Sequence, residues 1–176
     1  RKALAIGADD AVRVNMDPKD SFAVANEISE YIKRNSFDLI ITGRESIDYN
    51  GGAVSGMISE MTNLPLVNAC IGLEIVGNSA KLIREIDGGK EMITSNLPMV
   101  VGGQKGLVLE NELRIPNMRG IMQSRTKPLS VIEPTSTRTY STSLSFAKPE
   151  EKAGCKFVDA SNVSDLVDLL HNEAKV

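Results

Sequence analysis

The chain has 176 residues, 41% hydrophobic and 24% charged, with 20 Lys and Arg against 23 Asp and Glu for a formal net charge of -3. That length buries a sizeable core in one domain, alone or with an appendage, and the composition excludes both disorder and a small disulfide scaffold. The acidic balance excludes a general nucleic-acid or anionic-membrane footprint, and no apolar run approaches the ~18 residues of a membrane span.

Arg1 to Asp10 lack a signal peptide's order of basic, apolar and small segments, so an intracellular protein is expected. Ala3, Leu4 and Ile6 lead through Gly7-Ala8-Asp9-Asp10 into alternating Val12 and Val14, which reads as the end of a helix, a turn and a short strand. A chain that opens on the end of a helix is expected to be a fragment whose upstream elements are missing. Asp17-Pro18 offers a helix start with Asp as cap, and Phe22, Ala25, Ile28 and Ile32 then mark one helix face, with Lys19, Glu27, Glu30 and Lys33 elsewhere. Asp38 to Thr42 reads as a buried parallel strand ending at Gly43, and Gly52 to Thr62 as the next helix, stopped by Pro65. An apolar stretch follows over 66–71.

From Leu73 the period becomes that of strands. Leu73 to Val76, Ala80 to Ile86 and Lys90 to Thr94 are joined by turns at Gly77-Asn78 and Asp87-Gly88-Gly89, a meander of hairpins, and Pro98 to Val101 resumes a buried strand. After Gly102-Gly103 comes an irregular polar stretch, of the kind that is either disordered or a functional loop. Ile121 to Arg125 begins a helix, Leu129 to Ile132 is a brief strand, and the Ser, Thr, Lys and Pro of 135–152 read as a linker. Phe157 to Ala160 adds a further expected strand, and Asn162 to Ala174 an amphipathic helix capped by Ser161 or Asn162. The expected fold class is α/β, a doubly wound, mostly parallel Rossmann-like sheet with a β-hairpin insert and a C-terminal helical arm. The expected domains are 1–134, a linker over 135–153 and the arm over 154–176.

Chemistry is scarce. G-x-G-x-x-G, G-x-x-x-x-G-K-[ST] and G-x-S-x-G are all missing. Cys70 and Cys155 form no C-x-x-C pair and are expected as two buried free thiols, and the single histidine, His171, lies in the last amphipathic segment, so no metal site is expected. The segment with a physical case for a ligand follows the first buried strand: Gly43, Arg44, Ser46, Ile47, Asp48, Asn50, Gly51, Gly52, Ala53 and Val54. It sits where open α/β sheets bind ligands, its glycines allow close backbone approach, and the helix behind it offers free N–H groups to a phosphate. The bland alternative is a strand-to-helix turn.

Several separated motifs then occur in order: Gly7-Ala8-Asp9, the DLIIT-Gly strand with Ile47-Asp48 behind it, Arg84-Glu85-Ile86-Asp87-Gly88-Gly89, Arg114-Ile115-Pro116-Asn117, Ile121-Met122 and Lys127-Pro128. Together they closely resemble the beta subunit of electron transfer flavoprotein, well over residues 1–134 and loosely in the last helix. The resemblance implies an adenine nucleotide alpha hydrolase-like domain in a heterodimer with an alpha subunit that holds most of an FAD, with AMP or a second FAD in beta. Such a chain carries electrons from flavin-dependent dehydrogenases and has no autonomous catalysis. The resemblance places nucleotide phosphates against Gly43 to Val54; the chain departs from the family at Ala53, where many members have a glutamine. It also places a dehydrogenase-docking loop at 111–122, with Leu113, Ile115 and the anchor Met118, and sets Glu85 toward alpha. Core filling is the rival reading for Met118 and a solvated strand charge for Glu85. The location implied is the bacterial cytoplasm or the mitochondrial matrix, without membrane insertion or nucleic acid. Two other functions share the α/β core: a stand-alone adenine-nucleotide-binding domain of the stress-sensor type, and a nucleotide α-hydrolase-type enzyme.

Overall fold

A five-stranded sheet, half parallel and half antiparallel, organises residues 1–143 in the computed structural model, which describes residues 1–152 and 154–175. The elements in chain order are α1 (Lys2–Ile6), β1 (Ala11–Val14), α2 (Ser21–Arg34), β2 (Leu39–Gly43), α3 (Ala53–Thr62), β3 (Leu66–Val76), β4 (Ser79–Ile86), β5 (Gly89–Asn96), β6 (Met99–Gly103), α4 (Met118–Ser124), β7 (Leu129–Ile132) and α5 (Val163–Asp168). The strand order is β2-β6-β3-β4-β5, while β1 and β7 form a separate parallel pair. This is the expected Rossmann-like α/β class, with the hairpins extending one side of the sheet. A second unit begins at Leu144 and holds α5, which continues through a π-helical turn over Leu169–Ala174.

β6 is central because its sequence can be buried on both faces. Met99, Val100, Val101 and Gly102 are all buried, and the strand runs parallel to both β2 and β3. Met99 and Val101 join Val67, Cys70, Ala80 and Leu82 in one cluster, while Val100 joins Ala25 and Ile58 beneath α2 and α3. Each fully buried side chain of this size contributes about 1.5 to 3 kcal/mol. A Cβ on Gly102 would overlap the Asn68 amide of β3, which would have to turn away. At that point β3 slips out of register between Val67 and Cys70, with Ala69 at φ 55. The bulge lets β3 pass from its parallel partner β6 to its antiparallel partner β4.

α2 departs from the helical face expected for it. Its cap is Asp20, whose carboxylate accepts the Ala23 N–H at 2.8 Å, three residues beyond the expected Asp17. Ala25 and Ile32 pack on the core as expected, but Glu27, expected on the polar face, is 4% exposed. It accepts the Thr135 N–H at 2.7 Å, the Thr135 hydroxyl at 2.8 Å and the Ser136 N–H at 2.9 Å. Burial alone would raise a carboxyl's pKa; here the hydrogen bonds from Thr135 and Ser136 outweigh it and hold Glu27 below its ordinary value. Asp20 takes a second pair of N–H groups, from Tyr140 at 2.6 Å and Ser141 at 3.0 Å, and the Tyr140 ring meets Phe22 edge-on at 4.5 Å. Residues 135–141, within the segment read as a linker, therefore lie fastened along α2.

Four local expectations change elsewhere. α4 starts at Met118, not near Ile121, because Asn117 accepts the Gly120 N–H at 2.8 Å and caps it. Phe157 to Ala160 has no strand pairing, and Asn162 precedes α5 without a side-chain capping bond. Cys70 is buried as expected, whereas Cys155 is exposed.

Candidate functional site

The loop after β2 closes on itself before α3 begins. The Arg44 N–H donates to Gly103 O at 3.0 Å and prolongs the β2-β6 pairing by one step. The Ser46 N–H then donates to Gly51 O, the Asn50 N–H to Ser46 O and the Gly51 N–H to the Ser46 hydroxyl oxygen, each at 3.0 Å. Asn50 takes φ 57, a left-handed value that Asn tolerates. The Ser46 hydroxyl above all, with the backbone N–H groups of Asp48 and Tyr49, holds the exposed Asp48 carboxyl below its ordinary pKa. Ile47 and Tyr49 lie open to solvent on the outside of this ring.

The more crowded glycine of the pair is Gly51. A Cβ there would meet the exposed Tyr49 ring at 2.5 Å, which would have to swing aside, and the Ser46 hydroxyl at 3.2 Å, whereas one on Gly52 would meet the Arg44 carbonyl at an ordinary 3.5 Å. Gly52 has φ -104, open to any residue, so the close approach expected along this stretch falls one position earlier. Gly52 then caps α3 with no side chain, and Ala53 and Val54 bring no polar group to its first turn. The first N–H groups of a helix have no partner inside it. On the same turn the Ser55 hydroxyl, 2% exposed, has no hydrogen-bond partner among the described residues. A ten-residue helix that begins with free donors and an orphaned buried hydroxyl suits an anionic oxygen cluster such as a phosphate.

Arg44 leaves the ring. Its guanidinium donates to Gln104 Oε1, and the Gln104 amide donates to Glu85 on β4. This chain of contacts edges an open, polar cavity of about 670 Å³ lined by Arg44, Asn68, Glu85, Asp87 and Lys90. Of the expected site residues, Gly43 through Val54 are thus contiguous, while Arg44 is drawn toward Glu85. Gln104, Asn68 and Lys90 were missed. Gln104 follows the carboxyl end of a central parallel strand, the place where such sheets put their ligands, and that was the available signal.

The third group of expected residues lies on the stretch from Leu113 to Met122. Ile115 is 79% exposed, Met118 74% and Leu113 54%, so Met118 fills no gap in its own core. The base of the stretch is rigid. Gly120 abuts the Ala5 carbonyl so closely that a Cβ would overlap it, and the Lys127 ammonium donates to the carbonyls of Ala8 at 2.6 Å and Leu4 at 3.3 Å, tying the segment after α4 to α1 and the turn that follows it. Three exposed apolar side chains on a braced loop are suited to entering a partner's cleft.

Comparison with known proteins bears on this arrangement. The family model described as the electron transfer flavoprotein domain matches residues 1–137. Over its full length the chain is 34% identical to the electron transfer flavoprotein subunit beta of Bacillus subtilis, covering 73% of that protein, and 34% identical to that of Syntrophomonas wolfei, covering 70%. The human subunit beta is 30% identical over 76% of this chain and 53% of its own. The chain belongs to the electron transfer flavoprotein family and resembles its beta subunits.

Proposed function

We propose that this chain is the beta subunit of a heterodimeric electron carrier, pairing with an alpha subunit that holds most of an FAD. The full-length likeness to subunits named beta carries the reading, since a beta subunit presupposes a partner. When bound, FAD accepts electrons from a donor and passes them on. This chain supplies surfaces and no turnover of its own. Glu85, exposed near the tip of the β4-β5 hairpin and linked to Arg44 through Gln104, faces the alpha subunit.

A nucleotide, AMP or a second FAD, places its phosphates at the start of α3. The residues present fit that group: free N–H donors follow Gly52, and Ser55 offers an unpartnered hydroxyl. With Ala53 in place, binding relies on the backbone rather than on a side-chain amide. Leu113, Ile115 and Met118 are the docking side chains for flavin-dependent dehydrogenases, an assignment their exposure supports.

No helix among the described residues is long and apolar enough to cross a membrane. Relatives come from a bacterium and, under a mitochondrial name, from rice, and the compartment we assign to this chain is the bacterial cytoplasm or the mitochondrial matrix. Co-expression with an alpha subunit tests the assembly. Stoichiometric FAD is expected in the complex and not on the chain alone, and a mass spectrum of the released nucleotide identifies the group in beta. Stoichiometric yellow flavin on the isolated chain would refute the assignment.

A further inference from the structure

The docking stretch differs in charge from the rest of the molecule. Between Leu113 and Pro128 fall four of the chain's cations, Arg114, Arg119, Arg125 and Lys127, and none of its 23 Asp and Glu, in a chain of net charge -3. Three of the four line one depression of about 470 Å³ between α1 and α4, together with Gly7, Ile115 and Asn117. No carboxylate lines it. Lys127 is occupied by backbone carbonyls, but among the described residues neither the Arg114 nor the Arg119 guanidinium enters an ion pair. Two free guanidinium groups therefore stand beside Ile115, the most exposed apolar side chain of the loop.

A guanidinium is a planar fork suited to a carboxylate, and two of them beside an apolar anchor define a partner surface of matching layout. We propose that this depression receives an acidic side chain of the electron-donating dehydrogenase, set at the rim of the apolar cleft that takes Ile115 and Met118. The proposal rests on the docking reading of the loop and adds the chemistry of the partner: an apolar cleft with an acidic rim. Because the rest of the chain carries an excess of carboxylates, an acidic partner is repelled elsewhere and drawn to this patch, which orients the encounter as well as holding it.

The test is stopped-flow reduction of the intact heterodimer by its dehydrogenase at 10 and 150 mM ionic strength, with thermal midpoints recorded for every variant. Screening lengths fall from about 30 Å at the lower salt to about 8 Å at the higher. The bimolecular rate constant of the native complex is expected to fall by roughly tenfold across that range, within what steering gives. Arg114→Glu with Arg119→Glu should slow the reaction at 10 mM by roughly tenfold or more and abolish or invert the salt dependence, and the neutral pair Arg114→Gln with Arg119→Gln should fall between. Lys33→Glu with Arg34→Glu on α2 changes the net charge equally and should alter the rate by less than about twofold. If the reversed pair keeps the native rate and salt slope while Ile115→Ala still slows transfer, the docking reading stands and the acidic partner is refuted. If neither change slows transfer, both fail. Sedimentation showing self-association at low salt that the reversed pair abolishes would assign the depression to a second copy and overturn the proposal.

Discussion

Replacing Glu27 tests how much of the molecule depends on the clamp along α2. The carboxylate is 4% exposed and takes three hydrogen bonds of 2.7 to 2.9 Å from residues more than a hundred positions away. Hydrogen bonds to a charged group contribute about 1.5 to 3 kcal/mol each, and the Thr135 and Ser136 groups recover part of that by turning to water once the segment lifts. Glu27→Ala is therefore expected to cost about 2 to 4 kcal/mol, and Glu27→Gln, which keeps one acceptor oxygen, about half as much. Urea unfolding of the full chain measures the loss, and amide exchange at Thr135 and Ser136 locates it. The pH dependence has a fixed sign. The folded pKa lies below the ordinary 4.5, so the contribution is complete above about 4.5 and is lost as pH falls through the folded value. The native chain should lose stability in that acidic window more steeply than Glu27→Gln. A Glu27→Ala chain within ~0.5 kcal/mol of native, with unchanged exchange at 135–136, would refute the reasoning.

Other outcomes follow from the same geometry. Met118→Ala in the heterodimer should slow electron transfer from the dehydrogenase by roughly tenfold, with stability shifted by less than ~0.5 kcal/mol, because the side chain is 74% exposed; a stability loss without a transfer defect would remove the docking role. Gly51→Val should deplete nucleotide from the purified complex, since a branched side chain there displaces the Tyr49 ring and crowds the Ser46 hydroxyl that closes the loop, while Gly52→Ala should retain it; equal retention in both would make the loop only a turn. Gly120→Ala drives a methyl group into the Ala5 carbonyl and should cost about 1 to 3 kcal/mol in urea unfolding.

Most elements were legible because their signals are local. The apolar runs at 39–43 and 99–103, the turn glycines at 77 and 88, and the helical spacing over α2 and α3 each reflect a period the chain imposes on itself. What was not legible depends on distant partners. Glu27 has the sequence setting of a surface acid, and only Thr135 and Ser136 make it an interior one. Asp17 and Asp20 are both plausible caps by type; Asp20 alone meets the helix N–H groups while also holding Tyr140 and Ser141. In the loop after β2 the glycine run was plain, but which glycine is crowded was set by the Tyr49 ring and the Ser46 hydroxyl. The Arg44-Gln104-Glu85 contacts join three segments that no spacing rule connects. The basic depression was hidden for a related reason: its cations are spread over fourteen positions, and packing of α4 on α1 collects them.

The central position of β6 also governs the order in which the chain can assemble. Leu39 pairs with Met99 and Leu66 with Val100, so neither β2 nor β3 has its parallel neighbour until the strand at 99–103 arrives. The β3-β4-β5 hairpins are close in sequence and can form early, while the parallel half must wait for a contact that closes a long loop, the slow kind of pairing. On the ribosome, residues 21–98 therefore emerge with two bare strand edges and an exposed Ala25 and Ile58 surface. A single five-residue segment then closes both edges at once, which makes its emergence the step that separates an aggregation-prone nascent chain from a folded one.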